Sequence, residues 1–279
     1  MKTWLVIAGF LFFSSFRVSA QRWDFGAWAG GANYFGDLNT HTSLRFVNPA
    51  GGIFTRYIFD DRLSLRFNLN AGHVWAHDQY SSDYYEWTRN LGFSSTIYEL
   101  SGQLEFNFLP YENTFTNSFS EKHHYSPYIF IGWGVFHFNP KAKYNGDMVK
   151  LQPIGTEGQG YPEYPDLKPY KRVSTAFLLG GGIKFRVNKK LGMQIEGGVR
   201  KTYTDYLDDV SGVYADPIVL LHEGAPTFAF LADPSAEVLP EPIGQAGKMR
   251  GDSSKSDDYF LFGVGFIYTL KSYKCPYQK

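Results

Sequence analysis

Seven histidines, His41, His73, His77, His123, His124, His137 and His222, are the first places to look for proton transfer or metal binding. Ser81 and Ser82 follow His73 and His77, and a serine beside a histidine is the nucleophile–base pair of acyl transfer. No spacing forces any of these serines onto any histidine, so no catalytic residue is assigned and the chain reads as non-enzymatic. His123 and His124 are adjacent, and adjacent histidines rarely aim at one ion. Cys275 is the only cysteine, which excludes an internal disulfide and any multi-cysteine zinc site. Asp205, Asp208 and Asp209, with Tyr206 between them and Asp216 beyond, form an acidic string. Oxygen-rich clusters suit calcium, but the spacing departs from the EF-hand loop. The string therefore reads as a structured loop whose aspartates bond nearby backbone and cap turns. Arg250-Gly251-Asp252 is too short to signify adhesion and reads as a turn. No metal, cofactor-binding group or cofactor is expected.

These residues need elements to position them. The 279 residues carry 27 Lys+Arg and 27 Asp+Glu, and a formally neutral chain is a poor fit for nucleic-acid binding. Aromatic residues make up 18% and there are 29 glycines, which with few helix formers favours β-structure. Met1-Lys2, an apolar run over Trp4–Phe13 and the small residues Val18-Ser19-Ala20 read as a signal peptide over 1–20. The mature domain is then 21–279. No apolar stretch is long enough for a membrane-crossing helix.

A period of two runs through the mature chain. It is clearest over Val173–Val187 and Tyr259–Leu270, clear over Leu63–Trp75, Tyr98–Phe108 and Leu191–Val199, and less clean over Arg22–Ala32, Gly51–Phe59 and Tyr128–Phe138. Eight such segments predict an all-β, eight-stranded antiparallel barrel of the OmpA/OmpX-like kind. Volume decides which face points in. An eight-stranded interior is just filled by side chains, and rows of Phe, Leu and Tyr would overfill it. The small and charged rows therefore point inward, placing Arg66, Glu105, Lys184, Arg186, Glu196 and Arg200 inside, where they are expected to pair and plug the barrel. On the lipid side each would cost about 2–4 kcal/mol near the midplane. The apolar rows face lipid, so this is a transmembrane barrel of the cell outer membrane.

With both termini in the periplasm, the long connections at 36–46, 78–95, 139–172 and 204–257 are extracellular. The turns at 59–62, 109–125 and 187–190 are periplasmic, the middle one longer than usual. The loops 139–172 and 204–257 are rich in Pro, the former also in Tyr, which suits partner or glycan contact as well as simple capping of the mouth. The tail 271–279 is basic and shares the periplasmic side with the 109–125 turn. Asn113, His123, His124, Lys271, Lys274 and Cys275 are therefore the candidates for docking a periplasmic partner.

Three strings carry a family resemblance: Gly31-Ala32-Asn33-Tyr34-Phe35-Gly36-Asp37-Leu38, Thr202-Tyr203-Thr204-Asp205-Tyr206-Leu207-Asp208-Asp209-Val210-Ser211, and Arg250-Gly251-Asp252 ahead of an aromatic final strand. In these the chain resembles the PorG family, outer-membrane barrels of the Bacteroidota type IX protein secretion system. The resemblance spans essentially the whole mature chain. It implies a non-enzymatic component that contacts PorK- and PorN-type periplasmic ring proteins and supports protein export. Two other readings remain open at this point. One is a passive structural or adhesion barrel; the other is an outer-membrane lipid hydrolase using Ser and His near the bilayer surface.

Overall fold

The structure is a computed structural model that describes residues 22–40, 43–111, 124–188, 190–223 and 226–270. The expected signal peptide, the tail 271–279 and most of the 109–125 turn, hence Asn113, His123, Lys271, Lys274 and Cys275, lie outside the described residues.

Eight antiparallel strands close a barrel: β1 (Arg22–Phe35), β2 (Asn48–Ile58), β3 (Leu63–His77), β4 (Gly92–Asn107), β5 (Tyr125–His137), β8 (Val173–Arg186), β9 (Leu191–Thr202) and β10 (Asp258–Thr269). Each pairs with its chain neighbour, and β1 with β10 closes the circle, Asp24 opposite Thr269 and Phe35 opposite Asp258. Closure leaves no barrel edge for another chain to add to. Strands of 11 to 16 residues reach or exceed the roughly 9–11 that a tilted strand needs to cross a bilayer. The longer ones therefore extend past the apolar layer.

Alternation sorts the two faces. Phe67, Leu69, Leu100, Ile131, Leu179, Ile195 and Phe266 are exposed on the outside. Arg66, Asn68, Asn70, Gln103, Glu105, Lys184 and Arg200 are buried inside. Apolar surface costs about 25 cal/mol per Å² in water, so a belt of this kind identifies a membrane-spanning wall. The interior glycines are sockets. A Cβ on Gly180 would stand 2.4 Å from the Phe130 ring, and one on Gly26 would stand 2.2 Å from the Phe54 ring. These two inward rings thus fit because the neighbouring strand lacks a side chain at the paired position.

The segment between β5 and β8 contains a further hairpin, β6 (Lys141–Tyr144) and β7 (Asp147–Lys150), turned by Asn145 and Gly146 at positive φ. Short helices α1 (Tyr84–Arg89), α2 (Pro217–Glu223) and α3 (Pro226–Ala232) sit in the other long connections. The hydrophobic core lies at this end. Leu38, Phe46, Leu91, Leu151, Ile154, Leu207, Val210 and Leu231 from four connections pack onto Phe93, Phe136, Ala176 and Tyr259 from the strands. The connections therefore form a folded lid on the barrel mouth.

Candidate functional site

Two polar networks occupy the axis of the molecule, one inside the barrel and one in the lid. The lower network is centred on Glu105. Its carboxylate lies 2.7 Å from Arg56 Nε, 3.1 Å from Arg66 Nη1 and 2.7 Å from Lys184 Nζ. Asp24 takes a second contact from Arg56 at 3.3 Å, and Glu196 meets Arg66 at 2.7 Å through both guanidinium nitrogens. Tyr128 donates to Glu196, and its ring faces Lys184 Nζ at 4.3 Å. Six residues further toward the lid on β4, Glu99 accepts from Arg200 at 3.2 Å, Tyr259 at 2.7 Å and Asn70 at 2.8 Å. Asn70 in turn accepts from Trp28. Charged groups in so dry a space persist only when paired and hydrogen-bonded. Arg56, Arg66, Lys184 and Arg200 face Asp24, Glu99, Glu105 and Glu196, so these charges sum to zero. Arg186 points inward near the turns, and its Nε has no partner among the described residues. Asp24, Arg56 and Glu99 were absent from the sequence-derived interior set. Tyr111 tucks under the same end, its ring 5.7 Å from Lys184 Nζ. Together these side chains fill the barrel instead of lining a channel.

The lid network joins residues far apart in the chain. Asp37 accepts from the Asp252 backbone at 3.0 Å, and Arg89 donates to Asp78 at 2.7 Å and to the Arg250 carbonyl at 2.6 Å. Arg250, fully buried, donates to the carbonyls of Ala232 and Asp209 and to Glu157 at 3.1 Å. Asp209 accepts from Thr156 and Tyr170, both at 2.6 Å, and Tyr170 stacks on Tyr206 at 4.7 Å. Glu157 also holds the Ser211 and Gly212 amides. The acidic string therefore does more than cap turns. Asp208 and Asp209 reach different partners, and among the described residues no group of His, Cys, Asp and Glu is arranged for a metal ion. The loop tyrosines, which suited partner contact as well as capping of the mouth, are largely turned inward: Tyr144 packs on Phe230, Tyr161 donates to the Ile154 carbonyl, and Tyr164 accepts from the Asp216 amide. Burial of Arg250 removes Arg250-Gly251-Asp252 from any adhesive presentation.

Tyr34 supplies the connection between wall and lid. Its hydroxyl is 2.5 Å from Asp208 Oδ2 and 2.8 Å from Asp257 Oδ1. One phenol proton cannot serve two carboxylates, so the triad closes with a proton on one aspartate, donated to the phenol oxygen. Burial, then the neighbouring carboxylates, pushes Asp208 and Asp257 well up. Burial likewise pushes Asp205 to about 7 and Asp209 to about 6, the latter despite Arg250. Folded-state values above the unfolded ones mean stability that is complete below the ordinary aspartate range and lost as pH rises through about 6 to 7. Amide protection over residues 204–212, corrected for intrinsic exchange, is expected to fall between pH 5 and pH 8. Protection that rises with pH would contradict this protonation pattern.

The candidate hydrolase residues separate. Ser81 Oγ donates to Glu86 at 2.6 Å, and His77 Nδ1 accepts from the Gln79 amide at 3.2 Å. His73 instead meets Ser94 Oγ at 3.0 Å, with Thr96 at 3.4 Å on its other nitrogen, where a triad would place a carboxylate. Of the proposed docking residues only His124 is described, at the turn end, its carbonyl accepting from the Arg186 amide at 2.8 Å.

A family profile described as Domain of unknown function (DUF6089) matches residues 2–153. No curated protein matches the sequence. Among solved structures, Ail of Yersinia pestis bound to the heparin analogue sucrose octasulfate is similar at 9% identity and TM-score 0.40, over 90% of this chain and 100% of that one. Neisserial surface protein A aligns at 11% identity and TM-score 0.39, over 90% and 97%. A major outer membrane protein of Thermus thermophilus aligns at 11% identity and TM-score 0.39, over 90% and 100%.

Proposed function

For this chain, which belongs to the DUF6089 family, we propose the role of a sealed outer-membrane barrel that acts through protein contacts and not through catalysis or conduction. The observation that carries this reading is the filled axis: ion pairs around Glu105 and Glu99 occupy the barrel, and a folded lid closes one end. What is left to do work is surface. More specifically, the chain is a component of the type IX protein secretion system, lid outward and both termini in the periplasm, contacting the PorK- and PorN-type ring. Support for the specific role comes from the resemblance to the PorG family. The three strings that carry it converge on one cluster, through Tyr34–Asp208, Asp37–Asp252 and Arg250–Asp209. In this chain they form the latch of the lid. The partner-facing end is then the opposite one, the end of the barrel that carries the Phe59–Arg62 turn and the last described residue, Leu270.

The test is a mild-detergent affinity pull-down from outer membranes read by mass spectrometry. Ring proteins of the PorK and PorN type are expected in the eluate, and deletion of residues 271–279 is expected to weaken their capture while the barrel still shows its heat-dependent mobility shift. A barrel that elutes alone would remove the secretion role and leave a passive structural barrel.

A further inference from the structure

The outer wall changes character at one level. On β3 the lipid-facing row runs Leu69, Ala71, then His73; on β4 it runs Leu100, Tyr98, then Thr96 and Ser94; on β5 it runs Val135, then His137. Register sets His73 opposite Thr96 and Tyr98 opposite His137, so the three changes coincide at the lid-side edge of the apolar belt. A notch of 380 Å³ opens there, lined by His73, Ser94, His137 and Lys141 among others, with no carboxylate among the described residues of its wall. Lys141 is held in place by main-chain pairing with Ser94 at the root of the β6–β7 hairpin. Directly beneath, sharing Tyr98 and His137, an almost wholly apolar groove of 510 Å³ crosses the wall. It is shallow-floored because Gly51 stands opposite Ala71 on the outside, with Leu69 and Leu100 on its flanks.

A cationic, hydroxyl-lined notch above an apolar groove has the polarity of one amphiphile lying along the barrel. We propose that this wall binds a net-anionic lipid with a phosphate headgroup, the phosphate in the notch and one acyl chain in the groove. Charge complementarity selects the headgroup: Lys141 supplies the positive charge, and His137 with the Ser94 and Thr96 hydroxyls, which His73 holds in place, supplies polar partners to a group with several acceptor oxygens. The groove selects a chain-bearing ligand over a free anion. This site depends on the barrel wall and the root of the β6–β7 hairpin and is independent of any secretion role.

The experiment is native mass spectrometry of the full chain in neutral detergent, titrated with phosphatidic acid, phosphatidylcholine and oleate. Phosphatidic acid is expected to be retained about fivefold or more over phosphatidylcholine, whose own ammonium neutralises its phosphate. Lys141→Ala is expected to erase that preference, and Ala71→Phe, which fills the groove on the lipid side, to weaken both phospholipids. Equal retention of the two lipids by the unaltered protein would reduce the site to ordinary annular lipid. Retention of oleate equal to phosphatidic acid would overturn the phosphate assignment. Full displacement of phosphatidic acid by millimolar inorganic phosphate would overturn the lipid assignment.

Discussion

Glu105→Gln is expected to lower the unfolding free energy of the barrel by about 3–5 kcal/mol, the range found when one partner of a buried ion pair is removed. The carboxylate has no exposed surface and touches Arg56, Arg66 and Lys184 at 2.7, 3.1 and 2.7 Å. In the lower network three cations face Asp24, Glu105 and Glu196. Neutralising Glu105 leaves one excess positive charge in a space closed to water. Gln is nearly isosteric, so the loss is electrostatic and not a cavity effect. The arrangement also dictates its own rescue. Lys184 Nζ spends its contacts on Glu105, Asn107 and the Tyr128 ring. Glu105→Gln combined with Lys184→Met removes one charge of each sign and is expected to recover most of the loss. Urea unfolding of the refolded barrel in lipid vesicles, followed by tryptophan fluorescence, measures both. An unchanged midpoint in Glu105→Gln would mean that water reaches the hub and that the interior is not sealed.

The barrel was legible in the sequence because alternation is a local signal that survives burial on one face and lipid on the other. Its three less clean strands have a single physical reason. β1, β2 and β5 send Trp28, Phe54, Tyr128, Phe130 and Phe136 inward, so both faces of these strands carry bulk and the contrast blurs. The volume argument still holds. Inward rings such as Phe54 and Phe130 are matched by an absent side chain on a nearby strand, as Gly26 is for Phe54 and Gly180 and Gly198 are for Phe130, and that pairing is invisible along one strand. The same reason explains why Arg56 and Asp24 escaped the sequence reading of the interior: they sit on the strands whose phase was weakest. The lid was legible only as length. Which Asp meets which Tyr depends on four connections converging from all round the rim. Contacts such as Tyr34 with Asp257, or Asp37 with Asp252, span most of the chain and leave no local periodicity. The hairpin at 141–150 was missed for a simpler reason. It is two four-residue strands inside a stretch read as a single loop.

Arg250→Ala is expected to unlatch the lid while the barrel stays closed. Among the described residues the Arg250 guanidinium is the only cation bonded to Glu157, and it also holds the Asp209 and Ala232 carbonyls. Its removal leaves Glu157 and Asp209 buried without a counter-charge, a local cost of about 3–5 kcal/mol. If opening is local, that cost converts to a loss of protection of about two to four orders of magnitude at the Ser211 and Gly212 amides, which donate to Glu157. Arg250→Lys keeps the charge but not the fork, so an intermediate loss is expected. Resistance of the barrel to urea is expected to change little, because among the described residues no ion pair or hydrogen bond joins Glu99, Glu105 and their partners to Arg250, Glu157 or Asp209. For the same reason planar-bilayer recordings of Arg250→Ala are expected to remain without conductance steps: the seal below the lid is the ion-paired interior, not the lid. Steps appearing in Arg250→Ala would relocate the seal to the lid and sink the filled-axis reading. Loss of barrel and lid together would show one cooperative unit. Unchanged protection at Ser211 and Gly212 would show that the hydrophobic core around Leu207 and Leu231 holds the lid without its central arginine.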